Sequence, residues 1–114
     1  MREISISELN DLIDKHDDLL IVDVREREEF AHGHIAHALV VPAGALEHAT
    51  DATSIACNEQ LVAARSGTIV VCCDDGRRSR VAAGMLDRLG FAAVYLLAGG
   101  LISWQNEGLP LVRD

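Results

Sequence analysis

Short apolar runs separated by polar segments constrain the fold of this chain more than any other sequence feature. Residues 19–24 (LLIVDV) and 68–72 (TIVVC) are almost continuously apolar. Such runs are typical of strands that are covered on both faces of a sheet. Further short strands are predicted at residues 4–6, 37–41 and 94–97. The chain is therefore expected to build a buried sheet.

Apolar residues at helical spacing lie between these runs. The first helix is predicted from an N-cap at Ser7 through Lys15, a short one at residues 25–30, and one or two within residues 43–66. A last short helix carries Trp104. Several side chains are expected to face inward, from residues 43–66 and from the helix that follows the run at residues 68–72. They are Leu46, Ile55, Leu61, Val62, Val81, Ala82, Met85, Leu86 and Leu89.

The order of these elements predicts the architecture. Strands that alternate with helices form a parallel sheet through right-handed crossovers. Hydrophobic residues make up 49% of the chain but aromatic residues only 4%, so Val, Ile, Leu and Ala must fill the core. We therefore predict an α/β, three-layer fold: a parallel central sheet of about five strands, with helices on both faces. Residues 1–114 are expected to form a single domain.

Charge and hydropathy exclude several classes of function. A formal net charge of -8 opposes binding to nucleic acids and anionic membranes. The first ten residues, MREISISELN, lack the apolar stretch of a signal peptide, and no run approaches the about 18 apolar residues that span a membrane. A cytoplasmic protein with neither nucleic-acid nor membrane partners is expected. Four of the five histidines lie close enough in sequence to suggest a metal site, but their spacing fits no closed site, so no metal is predicted. They are His32, His34, His37 and His48.

Residues 73–79 (CDDGRRS), called the Cys73 loop below, join a central strand to the next helix. Binding sites of parallel sheets lie at the carboxyl ends of the strands. A tight turn there directs backbone N–H groups inward, and the helix N-terminus adds positive potential. Together with Arg77 and Arg78, these groups favour a thiolate at Cys73.

The other two cysteines are expected to be structural. Three cysteines give no disulfide framework, so free thiols are predicted. Neighbouring residues of a strand point to opposite faces, so Cys72 should lie in the core if Cys73 faces the loop. Cys57 is predicted to be a small buried hydrophobe.

Four motifs occur in order along the chain. They are DVR at residues 23–25 with EF at 29–30 and GHI at 33–35, then ALVVP at 38–42, then CxxGxRS at 73–79, and finally LAGG at 97–100 with Trp104, Gly108 and Pro110. By these motifs the sequence resembles the rhodanese domain from about Ile4 to Val112.

The resemblance implies a sulfurtransferase without a cofactor. Cys73 would be the nucleophile and would carry a sulfane sulfur as a persulfide. The donor would be thiosulfate or a protein or small-molecule persulfide, and the acceptor a thiol or cyanide. Asp23 and Arg25 would support the loop from the neighbouring strand. The residues implied to bind the transferred sulfur are Asp74, Asp75, Gly76, Arg77, Arg78 and Ser79.

Two features depart from the family pattern. Asp74 and Asp75 follow the cysteine where neutral or basic residues are common, and their charges should repel a dianion such as thiosulfate. His37 stands where the family commonly has Gly. Thiosulfate is therefore expected to bind weakly. The sequence does not predict the backbone conformation at His37.

Two other functions compete with sulfur transfer. Counted from Cys72, the loop reads Cys72-x5-Arg78-Ser79, the spacing of cysteine-dependent phosphatases of related fold. The rhodanese register instead selects Cys73 and leaves a shorter loop than a tetrahedral phosphate needs. A non-catalytic binding or regulatory module is the second alternative, but many such modules lack the cysteine that this chain retains.

Overall fold

The computed structural model describes residues 1–15 and 18–113. Its strands are β1 (Arg2–Ile4), β2 (Leu19–Asp23), β3 (Leu39–Val40), β4 (Thr68–Cys72) and β5 (Ala93–Leu97). Its α-helices are α1 (Ile6–Lys15), α2 (Arg27–Ala31), α3 (Leu46–Ala49), α4 (Glu59–Ala63), α5 (Arg77–Arg88) and α6 (Gly100–Asn106). Short 3-10 turns occupy Ala43–Ala45 and Ala64–Ser66.

The strands form one five-stranded parallel sheet in the order β1-β5-β4-β2-β3. Strand β4 is central and pairs with β2 and β5. Asp23 at the end of β2 is opposite Cys72 at the end of β4, so the carboxyl ends of these strands meet at one edge. No helix in the described part of the chain is long and apolar enough to cross a bilayer.

Two apolar clusters cover the two faces of the sheet and confirm the predicted α/β fold with helices on both sides. On one face, Val71 packs with residues of α3, α4 and α5. On the other face, Val70 packs with residues of α1 and α6, Trp104 among them. The side chains of β4 thus alternate between the layers, as a strand buried on both faces requires.

Helix α1 begins earlier than predicted. The Ser5 hydroxyl accepts a hydrogen bond from the backbone N–H of Glu8 at 3.0 Å, and the Glu8 carboxylate accepts one from the N–H of Ser5 at 3.0 Å. This reciprocal pair is a capping box. The prediction of Ser7 as the N-cap and of a strand reaching Ile6 was therefore wrong, because the Ser-x-x-Glu pattern starts the helix at Ile6.

Several predicted inward-facing side chains are exposed. Leu46 and Leu61 are fully buried as expected, but Ile55, Val81 and Leu89 are exposed. The prediction that Val81 and Leu89 face inward from α5 was wrong, because the side of the helix that packs in the cluster with Val71 carries Ala82, Ala83 and Leu86. The buried residues of α5 are Ser79, Ala82, Ala83 and Leu86. The prediction that Cys57 is buried was also wrong, since its exposure is intermediate.

Strand β3 is shorter than the predicted residues 37–41. His37 has a φ of 68°, the one positive value of a non-glycine residue in the described ranges. A left-handed residue cannot continue an extended strand. The backbone of His37 therefore adopts the conformation that glycine adopts most easily, which accounts for the glycine common there in the family.

Candidate active site

The Cys73 sulfur is enclosed by its own loop. Its Sγ accepts hydrogen bonds from the backbone N–H groups of Gly76 at 3.2 Å and Ser79 at 3.3 Å, and the thiol donates to the Ser79 hydroxyl oxygen at 3.3 Å. Gly76 has a φ of 98°, which turns the chain sharply into α5. The two N–H groups are called the sulfur cradle below. They can stabilise negative charge on sulfur.

Cys72 lies on the opposite face of the sheet from Cys73, in the cluster with α1 and α6. Burial raises the pKa of the Cys72 thiol well above its ordinary value, and the nearby Asp23 carboxylate raises it further. A thiolate is therefore disfavoured at Cys72. The core position predicted for Cys72 is confirmed, and this position argues against the phosphatase register, which requires Cys72 as the nucleophile.

Arg25 joins the end of β2 to the Cys73 loop. Its Nε and Nη2 donate to the Asp23 carboxylate at 3.0 and 2.8 Å, and Nη2 also donates to the Gly33 carbonyl at 2.7 Å. Its Nη1 lies 3.6 Å from the Asp74 carboxylate. Asp23 is completely buried and Arg25 nearly so. Arg25 therefore links the Asp23 carboxylate to the Cys73 loop.

Arg78 is held by two carboxylates. Its Nη1 and Nη2 donate to the Glu29 carboxylate at 2.7 and 3.0 Å, and Nη2 also donates to Asp74 at 3.0 Å. Hydrogen bonds from Arg78 and from the backbone N–H of Glu26 lower the pKa of Glu29 to about 2. These contacts tie α2 to the Cys73 loop.

Glu29 was not among the site residues taken from the sequence. The sequence feature that could have indicated it is the spacing Glu26-x-x-Glu29 at the start of a helix. In the structure, the Glu29 carboxylate accepts a hydrogen bond from the N–H of Glu26 at 3.0 Å. This capping box fixes the position of the carboxylate. The contact from Glu29 to Arg78, 49 residues later in the chain, depends on the packing of α2 against the loop.

The structure separates the predicted loop residues into two groups. The side chain of Asp75 accepts from the backbone N–H of Arg77 at 3.0 Å and lies 3.4 Å from its Nε. The Arg77 side chain is 91% exposed, and Arg80 is bound to Glu3 at 2.8 Å. The other predicted residues meet around the cysteine: Gly76 and Ser79 contact the Cys73 sulfur, and Arg25 and Arg78 contact Asp74. Asp23 joins this set through Arg25.

Helix α6 also contacts the Cys73 loop. The backbone N–H of Leu101 donates to the Cys73 carbonyl at 2.8 Å, and the N–H of Ile102 donates to the Asp74 carbonyl at 3.0 Å. The loop is therefore fixed by its own helix α5, by two arginine side chains and by the first turn of α6.

This arrangement defines an α/β protein in which a cysteine directly after the central parallel strand accepts two backbone hydrogen bonds from the loop that follows it. The chain belongs to the rhodanese-like domain family, whose profile matches residues 5–107.

Related proteins agree with this assignment. A sulfurtransferase of Allochromatium vinosum is 31% identical over 112 residues, 98% of this chain and 95% of that protein. The human single-domain sulfurtransferase TSTD1 is 26% identical, with a TM-score of 0.80 over 94% of this chain and 97% of that one. A Rhodopseudomonas palustris protein of unknown function, described as a possible tyrosine phosphatase, has a TM-score of 0.90 at 24% identity. The likeness covers 98% of this chain and 85% of that one, and it shows the fold alone.

Proposed function

We propose that this protein is a sulfurtransferase that carries a sulfane sulfur as a persulfide on Cys73. The observation that carries the proposal is the sulfur cradle, in which the N–H groups of Gly76 and Ser79 point at the Cys73 sulfur. Relatives named as sulfurtransferases support the same class of reaction.

The reaction has two displacement steps at sulfur. The Cys73 thiolate attacks the outer sulfur of a donor R–S–SH; a new S–S bond forms, the old one breaks, and the donor leaves as the thiolate R–S⁻. The product is Cys73–S–SH. An acceptor thiolate then attacks the outer sulfur, takes it as a persulfide and leaves Cys73 as a thiolate. Charge and atoms balance in each step, and neither step needs a cofactor.

The remaining residues of the site would position the loop. Arg25 and Arg78 act through Asp74, and Asp23 and Glu29 hold the two arginines in turn. We infer a small-molecule or protein donor and a thiol or cyanide acceptor. A reaction that needs a free thiol suits a reducing compartment, so we propose the cytoplasm.

Intact-protein mass spectrometry tests the proposal. After incubation with a sulfur donor and removal of the excess, we expect the mass of one added sulfur atom, which peptide mapping assigns to Cys73. Cys73→Ser should abolish both this adduct and turnover. Cys57→Ser is the matched control, because Cys57 lies in the segment between α3 and α4 and outside the loop, and it should retain most activity.

Two results would contradict the proposal. Full sulfur transfer by Cys73→Ser would remove the proposed nucleophile. Release of phosphate from an aryl phosphate, without any sulfur adduct, would favour the phosphatase alternative.

A further inference from the structure

Two arginines that contact Asp74 of the Cys73 loop already have other anionic partners. Arg25 binds the Asp23 carboxylate and a backbone carbonyl, and Arg78 binds the Glu29 carboxylate with both terminal nitrogens. An oxyanionic donor would need such guanidinium groups for its oxygen atoms. It would therefore have to compete with carboxylates that the protein supplies.

Asp74 is the carboxylate that the two arginines share. One oxygen lies 3.6 Å from Nη1 of Arg25, and the other accepts from Nη2 of Arg78 at 3.0 Å. Asp74 directly follows the reactive cysteine, whereas Asp23 and Glu29 belong to β2 and α2. Three carboxylates thus surround two guanidinium groups, so this network carries one negative charge in excess, and one of its carboxylates belongs to the residue that follows Cys73.

We propose that Asp74 is a specificity-determining residue that excludes oxyanionic sulfur donors and restricts Cys73 to persulfides R–S–SH. This inference rests on the proposed function. Thiosulfate would bring two negative charges and would release sulfite with the same charge. A persulfide releases a thiolate with one charge. The excess carboxylate therefore penalises the first donor more than the second.

Asp74→Asn provides the direct test, because it keeps the size of the side chain and removes the charge. We expect the ratio of kcat/KM for thiosulfate to kcat/KM for cysteine persulfide to rise tenfold or more, mainly through a lower KM for thiosulfate, because any loss of loop positioning would slow both reactions alike. Asp87→Asn is the control, since it removes the same charge from an exposed residue of α5 that pairs with the chain's first amino group. It should leave both reactions unchanged.

Asp75→Asn removes one negative charge from the same loop at a different position, so it tests whether the position of the carboxylate matters. The Asp75 carboxylate contacts Arg77 and is not shared by Arg25 and Arg78, so the gain with thiosulfate should be smaller than for Asp74→Asn. An equal gain, or no gain in Asp74→Asn, would overturn the inference.

A measurement on the unaltered protein covers the case in which Asp74→Asn does not fold. If thiosulfate is repelled, added potassium chloride should raise its kcat/KM by screening the repulsion. A fall in kcat/KM with added salt would mean that the site attracts thiosulfate, and it would overturn the inference.

Transfer from cysteine persulfide and from persulfidated serum albumin distinguishes a small donor from a protein donor.

Different results would reject the role of Asp74 and the proposed function. If Cys73 gains sulfur from a persulfide but Asp74→Asn shows no gain with thiosulfate, the function stands and the specificity role falls. If no donor places sulfur on Cys73 in any variant, both fall.

Discussion

Gly100 lies directly against the carbonyl oxygen of Cys73. A Cβ atom at Gly100 would be 2.5 Å from that oxygen and equally close to the carbonyl oxygen of Asp74, and the φ of Gly100 is 62°. A Cβ atom does not approach a non-bonded oxygen that closely, so a side chain here must displace backbone. The N-terminus of α6 can approach the Cys73 loop only because residue 100 has no side chain.

Gly100→Ala should therefore lower both stability and activity. The left-handed conformation alone costs about 1 to 2 kcal/mol for alanine, and the clash moves the loop that carries the cradle. We expect a lower Tm and a kcat/KM reduced at least tenfold. Gly44→Ala is the control, because a Cβ there meets no atom within 4 Å. A fully active Gly100→Ala would show that the contact does not position the loop.

Removal of the Ser79 hydroxyl should slow the reaction of Cys73. Ser79 is completely buried and its oxygen lies 3.3 Å from the Cys73 sulfur, where the hydroxyl can donate to a thiolate. A hydrogen bond to a charged group contributes about 1.5 to 3 kcal/mol. We expect Ser79→Ala to reduce the rate of iodoacetamide alkylation at pH 7 by tenfold or more. Ser66→Ala, in an exposed turn, should react as the unaltered protein does.

The ion pair of Glu29 and Arg78 should contribute to stability above pH 4.5. Folding lowers the pKa of Glu29 from 4.5 to about 2, mainly through Arg78, so the contribution is present above the unfolded value and is lost as pH falls from 4.5 towards 2. Both side chains are partly exposed, which limits it to about 1 kcal/mol. The Tm difference between the unaltered protein and Glu29→Gln should be largest near pH 6 and vanish near pH 2. A difference that is constant with pH would contradict this.

Steady-state kinetics should follow a ping-pong mechanism. The donor must leave before the acceptor attacks, because one sulfur atom of Cys73 takes part in both displacements. Parallel lines are expected in double-reciprocal plots of rate against donor concentration at several acceptor concentrations. Intersecting lines, together with no detectable persulfide, would indicate direct transfer between two bound substrates.

Gly84→Ala should stabilise the protein. Gly84 lies inside α5, and a Cβ there would approach only Nη1 of Arg88, at an ordinary 3.6 Å. Alanine in a helix interior is favoured over glycine by about 0.5 to 1 kcal/mol. Urea unfolding should show this gain. Gly90→Ala should lose stability in the same assay, because Gly90 has a φ of 91°.

The strands of the sheet were predictable because burial on both faces leaves a local signal. Residues 68–72 were predicted as a strand and form β4 with the same bounds. The separate roles of Cys72 and Cys73 followed from the alternation of side chains along that strand, and the two residues do lie in different clusters. Local spacing carried this information, so no knowledge of distant contacts was needed.

Helix faces and exposed segments were less predictable. Val81 fits an apolar stripe on α5 but is 68% exposed, because the side of the helix that packs against the sheet carries Ala82, Ala83 and Leu86 instead. Ile55 lies between α3 and α4, where no periodic pattern extends far enough to fix an inward side.

The sequence by itself determined the α/β class, the order of strands and helices, and the loop in which Cys73 is the candidate nucleophile. Only the tertiary structure decided which charges meet in that loop. Asp74 and Asp75 are neighbours with the same side chain. Asp74 nevertheless lies between Arg25 and Arg78, whereas Asp75 contacts Arg77. The reason is physical: Arg78 is four residues after Asp74 and is a local partner, but Arg25 comes from the segment that follows β2, and only the packing of the sheet brings it to Asp74.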